Sequence, residues 1–513
     1  MPEETPLSRG IVSGARQRDP EAIETRTRRI AGGLERLGVG PGDCVAILMR
    51  NDIAFLEATY AAATLGAYAV PVNWHLKPDE IRYILDDCDA KVLVGHDDLL
   101  EPLAGHLPEG LTVLAVPVPP EVAEHFPQRP GTALAGAEAL EAWMARQEPY
   151  AGAARPAPMS MIYTSGTTGR PKGVRRKAPT PEEAKATEGL RALVYGLRPG
   201  VRALLPGPLY HSAPNSFGIR AGRLGGVLVL MPRFDAEEML RLIEEHRIDT
   251  IFMVPTMFVR LLKLPEAVRA RYDSSSLRFV IHAAAPCPAD VKAAMIAWWG
   301  PVIHEFYGGT ETGPVTFATS QDALLKPGTV GRLSPGAEIR VVDETGAVLP
   351  QGAIGELYCR IAGYPEFTYH KAPEKRREVD RDGFITCGDV GYVDADGHVF
   401  LCDRKRDMII AGGVNIYPAE IEAALLGLPE VRDCAVFGIP HAEFGESVMA
   451  VVEPQPGVEI RVDELKAKLA ARIADYKVPR TIEVSHNLPR EDSGKIFKRR
   501  LRDPYWAAAG RTI

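Results

Sequence analysis

Cysteine is scarce in this 513-residue chain: there are seven, an odd number, and none lies in a C-x-x-C pair. That argues against a disulfide framework and suits a reducing compartment, so the expected location is cytoplasmic. Cys287, Cys359, Cys387 and Cys402 are expected to act as small buried apolar residues. Long apolar runs are missing too. A membrane-spanning helix needs about 18–20 consecutive apolar residues, and the nearest run, around Val227 to Met231, is far shorter. The opening MPEETPLSRG has no apolar signal core. Positive charge is not in excess: 60 Lys and Arg against 67 Asp and Glu give a net charge of −7. A mildly acidic chain is a poor general binder of nucleic acid, so no such partner is expected, and any phosphate must be held in a local site. No short-period repeat is visible. What is present, 46% hydrophobic and 25% charged residues, is ordinary globular composition, and the length predicts about three domains.

The first half alternates helical and strand patterns. Helices are expected near Ala22 to Leu37, Phe55 to Leu65 and Lys77 to Asp86. Strands are expected at Val45 to Met49, Ala67 to Val72 and Lys91 to Gly95. This alternation recurs between Ala236 and Trp299 and predicts parallel sheet with covering helices. The segment Pro117 to Pro158 reads as a mobile surface excursion. From about Gly328 short alternating strands and Gly/Pro turns predict antiparallel sheet, in the form of a small barrel. After Asp403 the pattern is a compact α+β tail.

The sharpest chemical signal is Tyr163-Thr-Ser-Gly-Thr-Thr-Gly-Arg-Pro-Lys-Gly-Val174. Gly166, Gly169 and Gly173 allow close backbone approach, so that successive N–H groups can nest an anion. Thr164, Ser165, Thr167 and Thr168 add hydroxyls and Lys172 adds a positive charge, an inventory suited to a triphosphate. Lys172 is followed by Gly173 and not by Ser or Thr, so the Walker pattern is absent. The charged stretch Arg175 to Lys185 has no evident role in this picture.

With Pro208-Leu-Tyr-His211, Tyr307-Gly-Gly-Thr-Glu-Thr-Gly313, Gly355-Glu-Leu-Tyr-Cys-Arg360, Phe384-Ile-Thr-Cys-Gly-Asp389, the run from Asp403 to Glu422 and Leu488-Pro-Arg-Glu-Asp-Ser-Gly-Lys-Ile496 following in order, the sequence resembles the adenylate-forming superfamily. That superfamily includes acyl-CoA synthetases, luciferases and nonribosomal peptide adenylation domains. The resemblance implies an α/β protein with a large N-terminal body (1–402) of two α/β sheets plus a small β-barrel. A hinge (403–406) and a small mobile α+β C-terminal lid (407–513) follow. It implies an AMP-forming acyl-CoA synthetase, with ATP, Mg2+ and coenzyme A as its small molecules. A carboxylate attacks the α-phosphorus of ATP, pyrophosphate leaves, and a thiol then attacks the acyl-adenylate.

Roles follow from the same resemblance. Glu311, with Thr167, holds magnesium, and Thr310 bonds the α-phosphate. Residues Thr164 to Gly169 and Lys172 hold the phosphates. Tyr307, Gly308, Ala283 and Ala284 border the adenine. Asp389 and Arg404 take the ribose. Lys495 is the essential lysine of adenylation, and His211 gates the acyl site. Arg406 is the hinge, where the family has Asp or Lys, and Gly412 and Gly413 leave room for a pantetheine arm. Tyr210, Phe217, His282 and Gly309 are candidates for the acyl pocket, and small residues there favour a fatty, aryl or alicyclic carboxylate. The opening segment, Ala15 to Arg28, is short for the family and leaves an edge of the N-terminal sheet unaccounted for. A homodimer is left open. The alternatives are an acyl-AMP ligase that loads a carrier protein, an oxygenase of the luciferase kind, and a catalytically inactive nucleotide-binding protein. Taken alone, the tail Lys498, Arg499, Arg500 and Arg502 reads as a solvated or nucleic-acid patch.

Overall fold

The computed structural model describes residues 9–126, 134–164, 171–285, 287–404, 407–411, 414–441, 445–490 and 496–508. Near the N-terminus, five strands pair in parallel in the order Tyr68–Pro71, Cys44–Leu48, Ala90–His96, Thr112–Val116 and Glu138–Ala139. Cys44–Leu48 (CVAIL) is buried throughout, as a strand covered on both faces must be. The connecting helices begin where the sequence supplies caps. The Asp19 carboxylate accepts the Ala22 N–H at 2.7 Å ahead of helix Pro20–Arg36, and Asp52 accepts the Ala54 N–H ahead of helix Ile53–Thr64.

A larger sheet runs in parallel from Gly10–Ser13 through Val227–Leu230, Arg202–Leu205, Thr250–Met253 and Phe279–His282 to Ile303–Gly309. Gly10–Ser13 pairs in turn with Arg16–Arg18, antiparallel, and this hairpin supplies the sheet edge that the short opening left unaccounted for. The switch to antiparallel pairing comes at Gly313–Ala318, earlier than the change in texture at Gly328. The strands expected in a small barrel continue this sheet as an antiparallel row: Thr329–Leu333, Val399–Arg404, Phe384–Val393, Gly355–Ile361 and Ala337–Val342. A separate antiparallel triplet joins Ile162–Thr164, Lys172–Arg176 and Phe367–Tyr369.

The C-terminal domain is built on the hairpin Val431–His441 with Gly445–Pro454, flanked by Ile409–Ala411 and, in parallel, Thr481–Val484. Helices Pro418–Leu426 and Val462–Ala470 close a core of their own around Ile416, Ile421, Leu425, Val436 and Leu465. Helix Lys498–Ala508 packs Leu501 and Tyr505 beside Phe437 and Met449, and the Trp506 indole N–H donates to the Gly438 carbonyl at 3.0 Å. Three of its basic residues have acidic partners, Lys498 with Glu422, Arg499 with Asp503 and Arg502 with Asp407, and the Arg500 guanidinium lies over the Phe497 ring. The helix is thus tied into the folded surface of the domain.

Two expectations need correction. The segment Pro117 to Pro158 is not a loose excursion over its whole length. It forms helix Leu140–Ala145, whose Leu140, Trp143 and Met144 are buried beside helix Pro20–Arg36. A Cβ on Gly33 would strike the Trp143 ring, and one on Gly32 the Glu148 carbonyl, so the close approach depends on both glycines. Of the four cysteines expected to be buried, only Cys359 is; Cys287, Cys387 and Cys402 are half-buried, and all seven are free thiols. Among the described residues no helix is long and apolar enough to cross a membrane.

One buried side chain bridges the two parallel sheets, which also share an apolar core. Asn51, buried, follows Cys44–Leu48. Its amide N–H groups donate to the carbonyls of Gly207 and Met231, both at 2.9 Å, and its oxygen accepts the Leu209 N–H at 2.8 Å. The same bonds fix the Pro208-Leu-Tyr-His211 loop. Asn51→Ala strands three buried backbone groups and is expected to cost about 2–4 kcal/mol in urea unfolding. A loss below about 0.5 kcal/mol would contradict this docking role.

Candidate active site

The hairpin between Ile303–Gly309 and Gly313–Ala318 carries the central residues. Gly309 stands opposite Gly313, so Thr310, Glu311 and Thr312 form a three-residue turn. A Cβ on Gly308 would collide with the Gly313 carbonyl, and one on Gly309 would lie 2.8 Å from the Cys387 sulfur. Gly313 has φ +73° and packs on the Tyr364 ring. These glycines are required by close packing and, at Gly313, by a left-handed backbone. The Thr312 hydroxyl accepts the Gly309 N–H at 2.8 Å and closes the turn.

Glu311 is half-buried and its Oε1 accepts two hydroxyls: Thr164 at 3.3 Å and Tyr369 at 3.2 Å. Burial and the adjacent Glu311 charge both raise the Tyr369 phenol, which keeps it a donor. The Lys172 ammonium lies 5.2 Å from the Tyr369 ring centroid. The start of the phosphate loop, its lysine and the acidic turn therefore meet at one place. Tyr369 was not among the residues expected there; it lies in no motif, and only the pairing of Phe367–Tyr369 with Lys172–Arg176 brings it in.

Asp389 sits on Phe384–Val393 directly opposite Arg404 on Val399–Arg404. The Tyr307 hydroxyl donates to Asp389 Oδ2 at 2.8 Å. Burial first, then the Asp389 charge, push the Tyr307 phenol well above its ordinary value, so it remains protonated and holds the carboxylate in place. Ala283 is buried, while Ala284 is exposed with φ +76°. A residue with a Cβ pays a steric penalty in that region, and such strain gathers at binding sites.

Tyr210 is buried, and His211 caps helix Ser212–Ala221 with its ring centroid 4.4 Å from that of Tyr210. Phe217 is fully buried, its ring 6.0 Å from Tyr195 and 6.1 Å from Phe252. His282 is not brought together with it. Side chains alternate along Phe279–His282, so His282 faces the other helical layer, against Phe258 and near Glu305, which pairs with Lys292. Burial lowers the His282 imidazole well below its ordinary value and keeps it neutral. Tyr210, Phe217, His282 and Gly309 therefore do not share one wall. Ser165, Gly166, Thr167, Thr168, Gly169, Arg406, Gly412, Gly413 and Lys495 lie outside the described residues, as does the side chain of Arg404.

The donor set suits a hard cation only in part. Among the described residues no three acidic, histidine or cysteine side chains cluster, so Glu311 is a single carboxylate. Such a set fits Mg2+ when phosphate oxygens complete the shell.

Known proteins resemble this chain over most of its length. The AMP-binding enzyme family matches residues 21–364, and the AMP-binding enzyme C-terminal domain matches residues 420–495. A feruloyl-CoA synthase of Amycolatopsis sp is 35% identical over 491 residues, 94% of this chain and 92% of that protein. The fatty acid–[acyl-carrier-protein] ligase ScoC of Streptomyces coeruleorubidus is 33% identical over 519 residues, 99% of this chain and 95% of its own. Among solved structures, the anthranilate CoA ligase AuaEII with anthranoyl-AMP superposes with a TM-score of 0.84 at 27% identity, covering 98% of this chain and 95% of that one.

The Tyr307–Asp389 bond is testable alone. Tyr307→Phe is expected to lose about 1–2 kcal/mol of adenine-nucleotide affinity, roughly 5- to 30-fold by calorimetry, with little change in melting temperature. Unchanged affinity would remove Tyr307 as the holder of Asp389.

Proposed function

The chain belongs to the AMP-binding enzyme family, as an AMP-forming acid–thiol ligase of the acyl-CoA synthetase branch, and we propose that its residues divide two half-reactions between them. In the first, a carboxylate meets the α-phosphoryl group of ATP. Two anions approach, so the site must position them and neutralise charge. Lys172 and Lys495 supply fixed positive charge. Thr310 donates to the α-phosphate. Asp389 and Arg404 hold the ribose, Tyr307 and Ala283-Ala284 border the adenine, and Ser165 to Gly169 wrap the phosphates. Glu311 and Thr167 are the residues that would hold Mg2+, which when bound shields phosphate charge. Pyrophosphate leaves from ATP as the acyl-adenylate forms.

In the second half-reaction the thiol attacks the acyl carbonyl and AMP leaves. The small domain is proposed to turn about Arg406, withdrawing Lys495 and presenting Gly412 and Gly413 to the coenzyme. This reading is supported by the C-terminal domain having its own core from Ile409 onward while Val399–Arg404 belongs to the large sheet. His211, at the head of helix Ser212–Ala221, is the proposed gate. The acyl group is proposed to be apolar, fatty, aryl or alicyclic. The observation that carries the reading is the convergence of Thr164, Lys172, Tyr369 and Glu311. A second reading, with the thiol on a carrier protein, is favoured by the 33% identity to ScoC over nearly the whole chain. The site is proposed to work in a cytoplasmic protein, with no assembly beyond one chain needed for the chemistry.

Pyrophosphate release with a panel of carboxylates, with and without CoA, tests this, the thioester being identified by mass. Release with apolar acids and a CoA thioester is expected. No release with any acid would overturn the reading, and release without CoA thioester would favour the carrier-protein branch. Lys495→Ala is expected to lower release about 100-fold or more. Gly413→Leu should spare release and block thioester formation; equal loss of both would contradict the division of labour.

A further inference from the structure

The charged stretch that begins at Arg175 had no role in the sequence. Arg176 now has a specific position. It ends the strand Lys172–Arg176, directly after the phosphate loop, and is 5% exposed. Its guanidinium donates to the carbonyl oxygens of Thr310 at 3.0 Å and Glu311 at 2.6 Å, and to that of Pro365. The plane lies against Tyr364, 4.8 Å from its ring centroid. Tyr364 in turn packs on Gly313, at the far side of the turn. The backbone of Arg176 is fixed as well, because its carbonyl accepts the Tyr68 hydroxyl at 2.6 Å.

A buried guanidinium is costly unless its donors are satisfied. Here they are spent on the turn that presents Thr310 and Glu311. The turn has only three residues between Gly309 and Gly313, so its carbonyls cannot join the strand ladder and need another partner. The flanking glycines impose little backbone preference, so the direction in which Thr310 and Glu311 point must be set from outside. Its Nη2 reaches both turn carbonyls while Nη1 reaches that of Pro365, so one rigid plane ties the turn to a third carbonyl, a span an ammonium group cannot copy.

We infer that Arg176 is a positioning residue for adenylation: it locks the Thr310–Glu311 turn to the arm of the phosphate loop, and so sets the hydroxyl and carboxylate against the triphosphate and its cation. The inference rests on the adenylating role proposed above. It separates the two half-reactions. Adenylate formation needs Thr310 and Glu311 in place. Thioester formation from ready-made acyl-AMP involves neither the triphosphate nor its cation, and keeps only the Thr310 bond to the α-phosphate. A residue that merely stabilised the fold would affect both steps through the amount of folded enzyme.

Arg176→Lys and Arg176→Gln, made in the full chain, test this. Three quantities are read against wild type: pyrophosphate release, thioester formation from the synthetic acyl-AMP of the most active panel acid, and the melting temperature with ATP plus EDTA and with ATP plus Mg2+. Arg176→Lys is expected to slow pyrophosphate release about 10- to 100-fold and, at saturating acyl-AMP, to slow thioester formation by at least about five-fold less than that. The extra rise in melting temperature that Mg2+ gives over ATP alone should be largely lost. Arg176→Gln, which keeps a two-donor amide without the charge, should show the same pattern. Parallel loss of both half-reactions with an unchanged Mg2+ increment, or no loss of either, would overturn the inference. Failure of the wild type to release pyrophosphate with any acid would instead overturn the parent reading. If Arg176→Lys does not fold, Arg176→Gln alone decides by the same ratio. If neither folds, Tyr364→Leu, which removes the plane against which the fork lies, must show the same split for the inference to stand.

Discussion

A three-residue turn, Thr310 to Thr312, has to present a hydroxyl and a carboxylate into a cleft while its own peptide groups stay paired. That constraint organises the large domain. Strand Ile303–Gly309 delivers the turn at the carboxyl end of the parallel sheet, where helix-connected sheets leave a crevice. Gly308, Gly309 and Gly313 let the hairpin close without side chains in the way. Thr312 satisfies the Gly309 N–H, and Arg176 satisfies the Thr310 and Glu311 carbonyls. With these groups satisfied, the turn can offer Glu311 to the hydroxyls of Thr164 and Tyr369, which come from two strands of a separate small sheet.

Asp389 is held on a different principle. It lies on an antiparallel strand that continues the large sheet, and a neutral phenol from the neighbouring site residue Tyr307 fixes its carboxylate. The two acidic groups are thus kept apart in role. Glu311 faces lysine and hydroxyl donors suited to phosphate and cation. Asp389 faces the neutral Tyr307 phenol, which donates to its Oδ2. Both depend on the docking of the two parallel sheets, which Asn51 secures through backbone groups of the loop leading to His211.

Much of this was legible in the sequence. Apolar runs such as Val45 to Met49, alternating with helical patterns, marked the parallel sheets and their covering helices. The ordered motifs picked out Glu311, Tyr307 and Asp389, because their glycine-rich spacing is local. What escaped was carried by long-range pairing. Tyr369 and Arg176 reach the site only because Phe367–Tyr369 pairs with Lys172–Arg176, a register no local pattern encodes. Trp143 was hidden in a Pro- and Ala-rich stretch, whose composition suggests a loop although its apolar residues fill a groove beside Gly32 and Gly33. His282 was expected with Phe217 in the acyl pocket, but strand alternation sends it to the opposite helical layer.

The central claim is that the turn Thr310–Thr312 and Asp389 flank a single nucleotide cleft. A crystal structure with an acyl-sulfamoyl adenosine measures this most directly. The account predicts the ribose hydroxyls within about 3 Å of Asp389 and the sulfamoyl group within hydrogen-bond reach of Thr310. An analogue bound with its ribose away from Asp389, or its sulfamoyl group away from the turn, would contradict it.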